Sequence, residues 1–167
     1  MAKTSSELYN IDTGILQKDA CIIIVRTEWN AAIVDKLEEG CRSILDQFGM
    51  KNYKVINVPG AFEIPFTIKS YWDSCKDRFE KPQAFIALGC VLRGGTPHFD
   101  YVCKAITDGV VQLNLSLPVP TIFGVLTVDN DDQAKERIGG EHGHKGEEAA
   151  VTALKMIILQ QSFFNPK

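Results

Sequence analysis

The chain has 167 residues, 45% of them hydrophobic and 23% charged, with eighteen Lys and Arg against twenty-one Asp and Glu for a net charge of −3. That length fits one domain spanning residues 1–167. The apolar content supports a packed core and excludes a disordered chain, and the lack of any Lys/Arg run speaks against nucleic acid as a partner.

Residues 1–19 are polar with scattered apolar positions and read as an N-terminal arm. The start, MAKTSSELYN, has no apolar segment of the kind a secretory signal needs. Residues 21–26 (CIIIVR) form a short β-branched run, the mark of a buried strand. Ile33, Val34, Leu37, Cys41, Ile44, Leu45 and Phe48 then recur at helical spacing, and Gly49 ends that helix. A second strand is expected over 54–58. After the Pro59-Gly60 break, Ile64, Ile68, Trp72 and Cys75 predict a second helix.

A third strand is expected over 84–88, followed by a loop over 89–97. Val102, Ile106, Val110 and Leu113 mark the third helix. Residues 109–128 carry no charge, but Gln112, Asn114, Ser116, Pro118 and Pro120 interrupt them. They therefore read as a helix end, a turn and a fourth strand over 121–126, and no membrane span is expected. Asn130 can cap a short helix over 131–138. Beyond Gly139-Gly140 and EHGHK lies a last helix with Ala150, Leu154, Ile157 and Ile158 on one face. Five cysteines without C-x-x-C spacing look like reduced, mostly buried thiols of a cytoplasmic protein.

This alternation predicts an α/β fold, a three-layer α/β/α sandwich around a four-stranded parallel sheet. Ligands of such sheets bind outside the carboxyl ends of the strands. The first strand is followed by Trp29-Asn30, an aromatic plane and an amide. A Trp there is either core or a stacking surface for a flat ring. The second strand is followed by Gly60-Ala61-Phe62-Glu63. Glu63, in a first helical turn, either caps that helix or accepts hydrogen bonds from sugar hydroxyls. The third leads through Cys90, Val91 and Leu92 into Gly94-Gly95-Thr96-Pro97-His98.

Glycine amides and a hydroxyl at a helix start suit an anion. At the same place the positive end of the helix dipole favours a neutral imidazole on His98, able to accept a proton. Cys90 is a candidate nucleophile with nothing beside it to lower its pKa. His142 and His144 have no ligand partners at metal spacing, so no metal is expected.

At these residues the sequence resembles the lumazine synthase family. The segments that carry the resemblance are EWN (28–30), PGAFEIP (59–65), ALGCVLRGGTPHFDYVC (87–103), PTIFGVLT (120–127) and ERIGGEHGHKG (136–146). The departures are small: family members often have Thr or another small residue where Cys90 stands, and Gly95 lies at a variable position. The resemblance implies a flavodoxin-like fold and a transferase acting in riboflavin biosynthesis. That enzyme condenses 5-amino-6-(D-ribitylamino)uracil with 3,4-dihydroxy-2-butanone 4-phosphate, without metal or organic cofactor, to 6,7-dimethyl-8-ribityllumazine, phosphate and water.

Carried onto this sequence, the resemblance makes Trp29 the stacking surface and Asn30 a positioning group. Gly60, Ala61 and Phe62 flank the ring and ribityl chain, and Glu63 binds ribityl hydroxyls. Backbone at Cys90, Val91 and Leu92 reads the pyrimidine edge, Gly95 and Thr96 cradle phosphate, and His98 moves protons. Phe123, Arg137 and Lys145 match residues supplied by a neighbouring subunit, with Arg137 on the phosphate.

The resemblance also implies a homopentamer. Pentamers in this family can pair into a decamer or close into a sixty-subunit shell, for which riboflavin synthase is a candidate partner. The short 139–146 segment and a proline-free arm able to add to a neighbour's sheet edge lean toward the shell. Ser5, Ser6, Glu7 and Asn10 are weak strand formers and lean against it. Two other readings stay open: a different flavodoxin-like enzyme on a phosphorylated sugar, and a non-catalytic shell or flavin-binding protein.

Overall fold

A computed structural model of the chain describes residues 6–12, 14, 16–75, 77 and 79–164. Four strands, β1 (Ile22–Thr27), β2 (Tyr53–Val58), β3 (Ala84–Leu92) and β4 (Thr121–Val128), form one parallel sheet in the order β2-β1-β3-β4. Alternate residues along each strand point to opposite faces, and both faces are covered. On one side Ile22, Ile24, Ile86, Leu88 and Leu126 meet α1 (Ala31–Gln47) and α5 (Lys145–Phe164). On the other, Ile23, Val25, Phe85, Ala87 and Val125 meet α2 (Ile64–Ser74) and α3 (His98–Ser116). This is why the central strands β1 and β3 read as apolar runs, while the edge strand β2 carries Lys54 and Asn57. Burying each large side chain fully, as for Phe85 and Ile24, contributes about 1.5–3 kcal/mol against exposure.

The helix pair α1 and α5 approaches closely because Gly146 lies against the Leu37 carbonyl, where a Cβ would overlap the oxygen. Ala149, Ala150 and Ala153 continue that small-residue face, all buried. Among the described residues no helix is long and apolar enough to cross a membrane.

The structure departs from the expected boundaries in four places. Strand β3 runs on to Leu92, pairing Gly89, Cys90, Val91 and Leu92 with β4, so residues 89–92 are strand and the loop shrinks to 93–97. Strand β4 likewise reaches Val128. Asn130 does cap α4, its side chain accepting from the Gln133 amide at 2.9 Å, but α4 spans only Asp131–Lys135. Residues 138–144 turn instead into a small antiparallel hairpin of β5 (Ile138–Gly140) and β6 (Gly143–His144), with Gly139 and Gly143 at positive φ.

The fourth departure is in the arm. Its described part forms a 3-10 turn at Ser6–Tyr9, and no described residue before Ile22 is in a strand. Leu8, Tyr9, Ile11 and Leu16 pack on the chain's own α1–α5 side, and Lys155 donates to the Glu7 carbonyl. A local turn suits Ser6 and Glu7, weak strand formers, better than an extended edge. Residues 1–5 of the expected arm lie outside the described residues.

Candidate active site

The strand order reverses direction of travel between β1 and β3, since β1 is followed on one side by β2 and flanked on the other by β3. Loops leaving the carboxyl ends at such a switch diverge and leave a crevice. A cleft of about 520 Å³ opens there. It is lined by Trp29, Asn30, Gly60, Ala61, Phe62, Glu63, Cys90, Val91, Leu92, Thr96 and His98, together with Thr27, Pro59, Gly94, Phe99 and Val102.

The β1 exit is pinned to the β2 exit by two backbone bonds, Glu28 N–H to Val58 O at 2.8 Å and Trp29 N–H to Pro59 O at 3.2 Å. The buried Thr27 hydroxyl adds a bond to the Trp29 carbonyl at 3.3 Å. With its backbone so held, Trp29 turns its indole outward and is 68% exposed. The core reading of Trp29 is therefore wrong. A large flat ring left in solvent at the mouth of a cleft offers a surface on which another ring can stack.

Asn30 has φ 59° and ψ 40°, the only described non-glycine residue at positive φ. Asparagine tolerates that region better than most residues. It stands at the start of α1 yet makes no side-chain cap; its amide donates instead to the Cys90 carbonyl at 2.9 Å, tying the β1 exit to β3 across the cleft. Backbone geometry of this kind is kept where a site requires it.

Gly60 precedes a 3-10 turn, Ala61–Glu63, that leads into α2. Glu63 stands at the α2 cap position without a side-chain cap bond, so no capping hydrogen bond occupies its carboxylate. Its carboxylate lies over Gly60: a Cβ there would stand 3.1 Å from Glu63 Oε2 and 4.0 Å from the Trp29 ring. Glycine is what allows the indole and the carboxylate to border the same floor.

Across the cleft, His98 is the first residue of α3 and is exposed, as is Thr96 before it. Gly94 and Gly95 are exposed, and a Cβ on either would meet nothing within 4 Å, so the loop borders open space. Gly95 itself is not among the lining residues. Phe99 and Val102, on the first turns of α3, complete the apolar wall. Neither was singled out for the site in the sequence: Val102 reads there only as one of the apolar positions that mark the third helix.

Cys90 is buried, and burial together with Asp131 pushes its thiol up to about 11. A thiol held protonated at neutral pH is not a nucleophile, so that candidacy ends and the residue serves as a small wall.

Three expected residues lie elsewhere in the same chain. Phe123 sits on the edge strand β4, packed against the α2–α3 side. Arg137 pairs in two-pronged fashion with Glu148, Nη1 to Oε1 at 3.0 Å and Nη2 to Oε2 at 2.8 Å. It also donates to the His142 carbonyl. The Lys145 ammonium stands 3.6 Å from the same carboxylate. None of the three lines the cleft.

Fold and cleft together define an α/β protein of the ligand-binding kind, with an aromatic plane, amide and carboxylate partners and a glycine-rich helix start gathered at the carboxyl ends of a parallel sheet. The family model described as 6,7-dimethyl-8-ribityllumazine synthase matches residues 19–161. The chain belongs to that family. It is 48% identical over 136 residues to the 6,7-dimethyl-8-ribityllumazine synthase of Parabacteroides distasonis, covering 80% of this chain and 82% of the relative. It is 46% identical over 159 residues to that of Cytophaga hutchinsonii, covering 94% and 93%. Against that of Porphyromonas gingivalis it is 44% identical over 155 residues, covering 92% and 93%.

Proposed function

We propose that the chain condenses 5-amino-6-(D-ribitylamino)uracil with 3,4-dihydroxy-2-butanone 4-phosphate, yielding 6,7-dimethyl-8-ribityllumazine, phosphate and water. The observation that carries this reading is the meeting of Trp29, Asn30, Glu63, Thr96 and His98 around one cleft in a chain of this family. The exposed indole stacks on the pyrimidine, and the ring edge meets backbone groups of residues 90–92. Glu63 accepts from ribityl hydroxyls, beside Gly60 and Ala61. The amides at Gly94-Gly95 and the Thr96 hydroxyl receive the phosphate at the start of α3, where the dipole favours an anion.

The chemistry then needs few groups. The uracil amine adds to the ketone and loses water to give an imine, phosphate leaves by elimination, and the ring closes with loss of a second water. His98, at the cleft wall, takes and returns protons in these steps, a contribution of about 10²–10⁴-fold. Holding two substrates side by side supplies the larger share. No metal or organic cofactor enters the scheme. Mixing both substrates with the protein in EDTA and following lumazine absorbance tests it; a rate no faster than the protein-free mixture overturns it.

The proposed working unit is a homopentamer with sites shared between neighbours. Phe123, Arg137 and Lys145 stand outside their own chain's cleft, which supports their acting in a neighbour's. The exposed apolar side chains Phe62, Phe66, Tyr101, Val111 and Leu115 on the α2–α3 side support a covered face. Assembly of pentamers into a decamer or a sixty-subunit shell is the further proposal. Light scattering checks both: an active monomer refutes the shared site, and a stable five-subunit mass refutes only the larger assemblies.

A further inference from the structure

The loop that carries the proposed phosphate groups has little packing of its own. Five residues, Arg93 to Pro97, connect β3 to α3, and a Cβ on either glycine would meet nothing within 4 Å. Two glycines give such a bridge wide backbone freedom. Yet the residues it delivers, Thr96 and His98, have to be placed to a fraction of an ångström for an anion and a proton transfer.

Arg93, which the reaction scheme leaves unused, spans this bridge. Its backbone N–H donates to the Val128 carbonyl at 2.9 Å, extending the β3–β4 ladder by one bond. Its Nε donates to Asp129 Oδ1 at 2.7 Å, at the end of β4. Its Nη2 donates to Asp100 Oδ1 at 3.2 Å, in the first turn of α3. The guanidinium carbon lies 4.0 Å from the centroid of the Phe99 ring. One planar group therefore grips the sheet on one side of the loop and the helix start on the other. Lysine, a point charge on a flexible stem, cannot make the fork and the stack together.

We propose that Arg93 is a positioning residue for the phosphorylated substrate: it sets the 94–97 loop by bracing Asp129 against Phe99 and Asp100, without touching the phosphate. The inference rests on the reading of this loop as the phosphate site. Arg93, Asp100 and Asp129 are all exposed. Contacts of this kind add little to global stability, but three on one loop restrict it.

The test compares Arg93→Gln, Arg93→Lys and Asp129→Asn with the wild-type enzyme. Each substrate is varied in turn, and melting temperature is recorded. Positioning predicts that Arg93→Gln and Asp129→Asn both raise KM for 3,4-dihydroxy-2-butanone 4-phosphate, by about five- to tenfold. Arg93→Lys should recover less than half of that loss. The pyrimidine Kd and the melting temperature should stay near wild type.

Asp129→Asn is the discriminating variant. Were Arg93 a direct phosphate contact, removing a neighbouring anion would lower that KM, and this outcome overturns the proposal. Unchanged KM in both variants also overturns it, as does a matching loss for both substrates with a fall in melting temperature. A wild-type protein that forms no lumazine would instead remove the functional reading on which the inference stands.

Discussion

Replacing Arg137 with Ala should do two separable things. In the structure Arg137 and Glu148 have side chains 14% and 11% exposed, joined by two bonds of 3.0 and 2.8 Å. Removing the guanidinium takes two charge-assisted bonds from a largely buried carboxylate, with the Lys145 ammonium 3.6 Å away as partial compensation. Breaking a buried pair this way costs about 3–5 kcal/mol, and the lysine should bring that to about 2–3 kcal/mol. The double variant Arg137→Ala/Glu148→Gln removes the carboxylate charge and should recover about 1 kcal/mol or more. The proposed phosphate role adds a loss that the double variant cannot recover. A missing charge-assisted hydrogen bond, about 1.5–3 kcal/mol, corresponds to about a 10- to 150-fold rise in KM for the phosphorylated substrate. Denaturant unfolding reads the first effect, and steady-state kinetics with calorimetric titration of the pyrimidine reads the second. If the double variant regained both stability and KM, Arg137 would be a structural residue only. Equal weakening of both substrates would equally refute the phosphate assignment.

Trp29→Ala should leave the melting temperature near wild type, because the ring is exposed, while weakening the pyrimidine by about 1–3 kcal/mol as measured by titration; a large fall in stability would show the ring to be structural. His98→Ala should lower turnover by about 10²-fold or more with pyrimidine affinity retained, and an unchanged kcat would remove the proton-transfer role. Cys41 and Cys90, pushed up to about 12 and about 11 mainly by burial, should resist a thiol-specific reagent at pH 8 in the native protein and react once it is denatured. Because both folded-state values lie above the ordinary 9.0, their contribution to stability is fully present below pH 9 and is lost as pH rises through 11 to 12. Its sign can be checked by unfolding Cys41→Ala alongside wild type across that range. Gly146→Ala should destabilise through overlap with the Leu37 carbonyl, by about 1–3 kcal/mol in thermal unfolding, and no change would mean that the α1–α5 crossing is looser than described.

The sheet was legible because β1, β3 and β4 are largely buried on both faces and so form nearly solid β-branched or apolar runs, while the edge strand β2, with Lys54 and Asn57 exposed, showed through Val55 and Ile56 at its centre; each helix repeats apolar residues on one side. Where the reading failed, a local cue pointed the wrong way. Gly89 looked like a loop residue, yet it lies within β3. A Cβ there would stand 3.0 Å from the Thr27 side chain on β1, so the strand itself calls for a small residue. The β5–β6 hairpin is too short to show alternation, and its positive-φ glycines read as a plain loop.

In the site, the chemical types could be read but not their orientation. The residue type of Trp29 suits core and surface alike, and its exposed ring in the folded chain decides between them. Glu63 had a sound capping explanation, but no capping hydrogen bond occupies its carboxylate. Phe123, Arg137 and Lys145 came only through the resemblance. No spacing in one chain can show that a residue acts in another chain's cleft. Arg93 gave no signal, because its partners Phe99, Asp100 and Asp129 come together only once β3, α3 and β4 are in place.

The most direct test of the account is a single experiment on the assembled wild-type protein, measuring lumazine and inorganic phosphate together from the two purified substrates in the presence of chelator. The account predicts that both appear in a one-to-one ratio, in proportion to protein and well above the spontaneous rate. Phosphate release without lumazine, or lumazine formed no faster than in protein-free buffer, would contradict it.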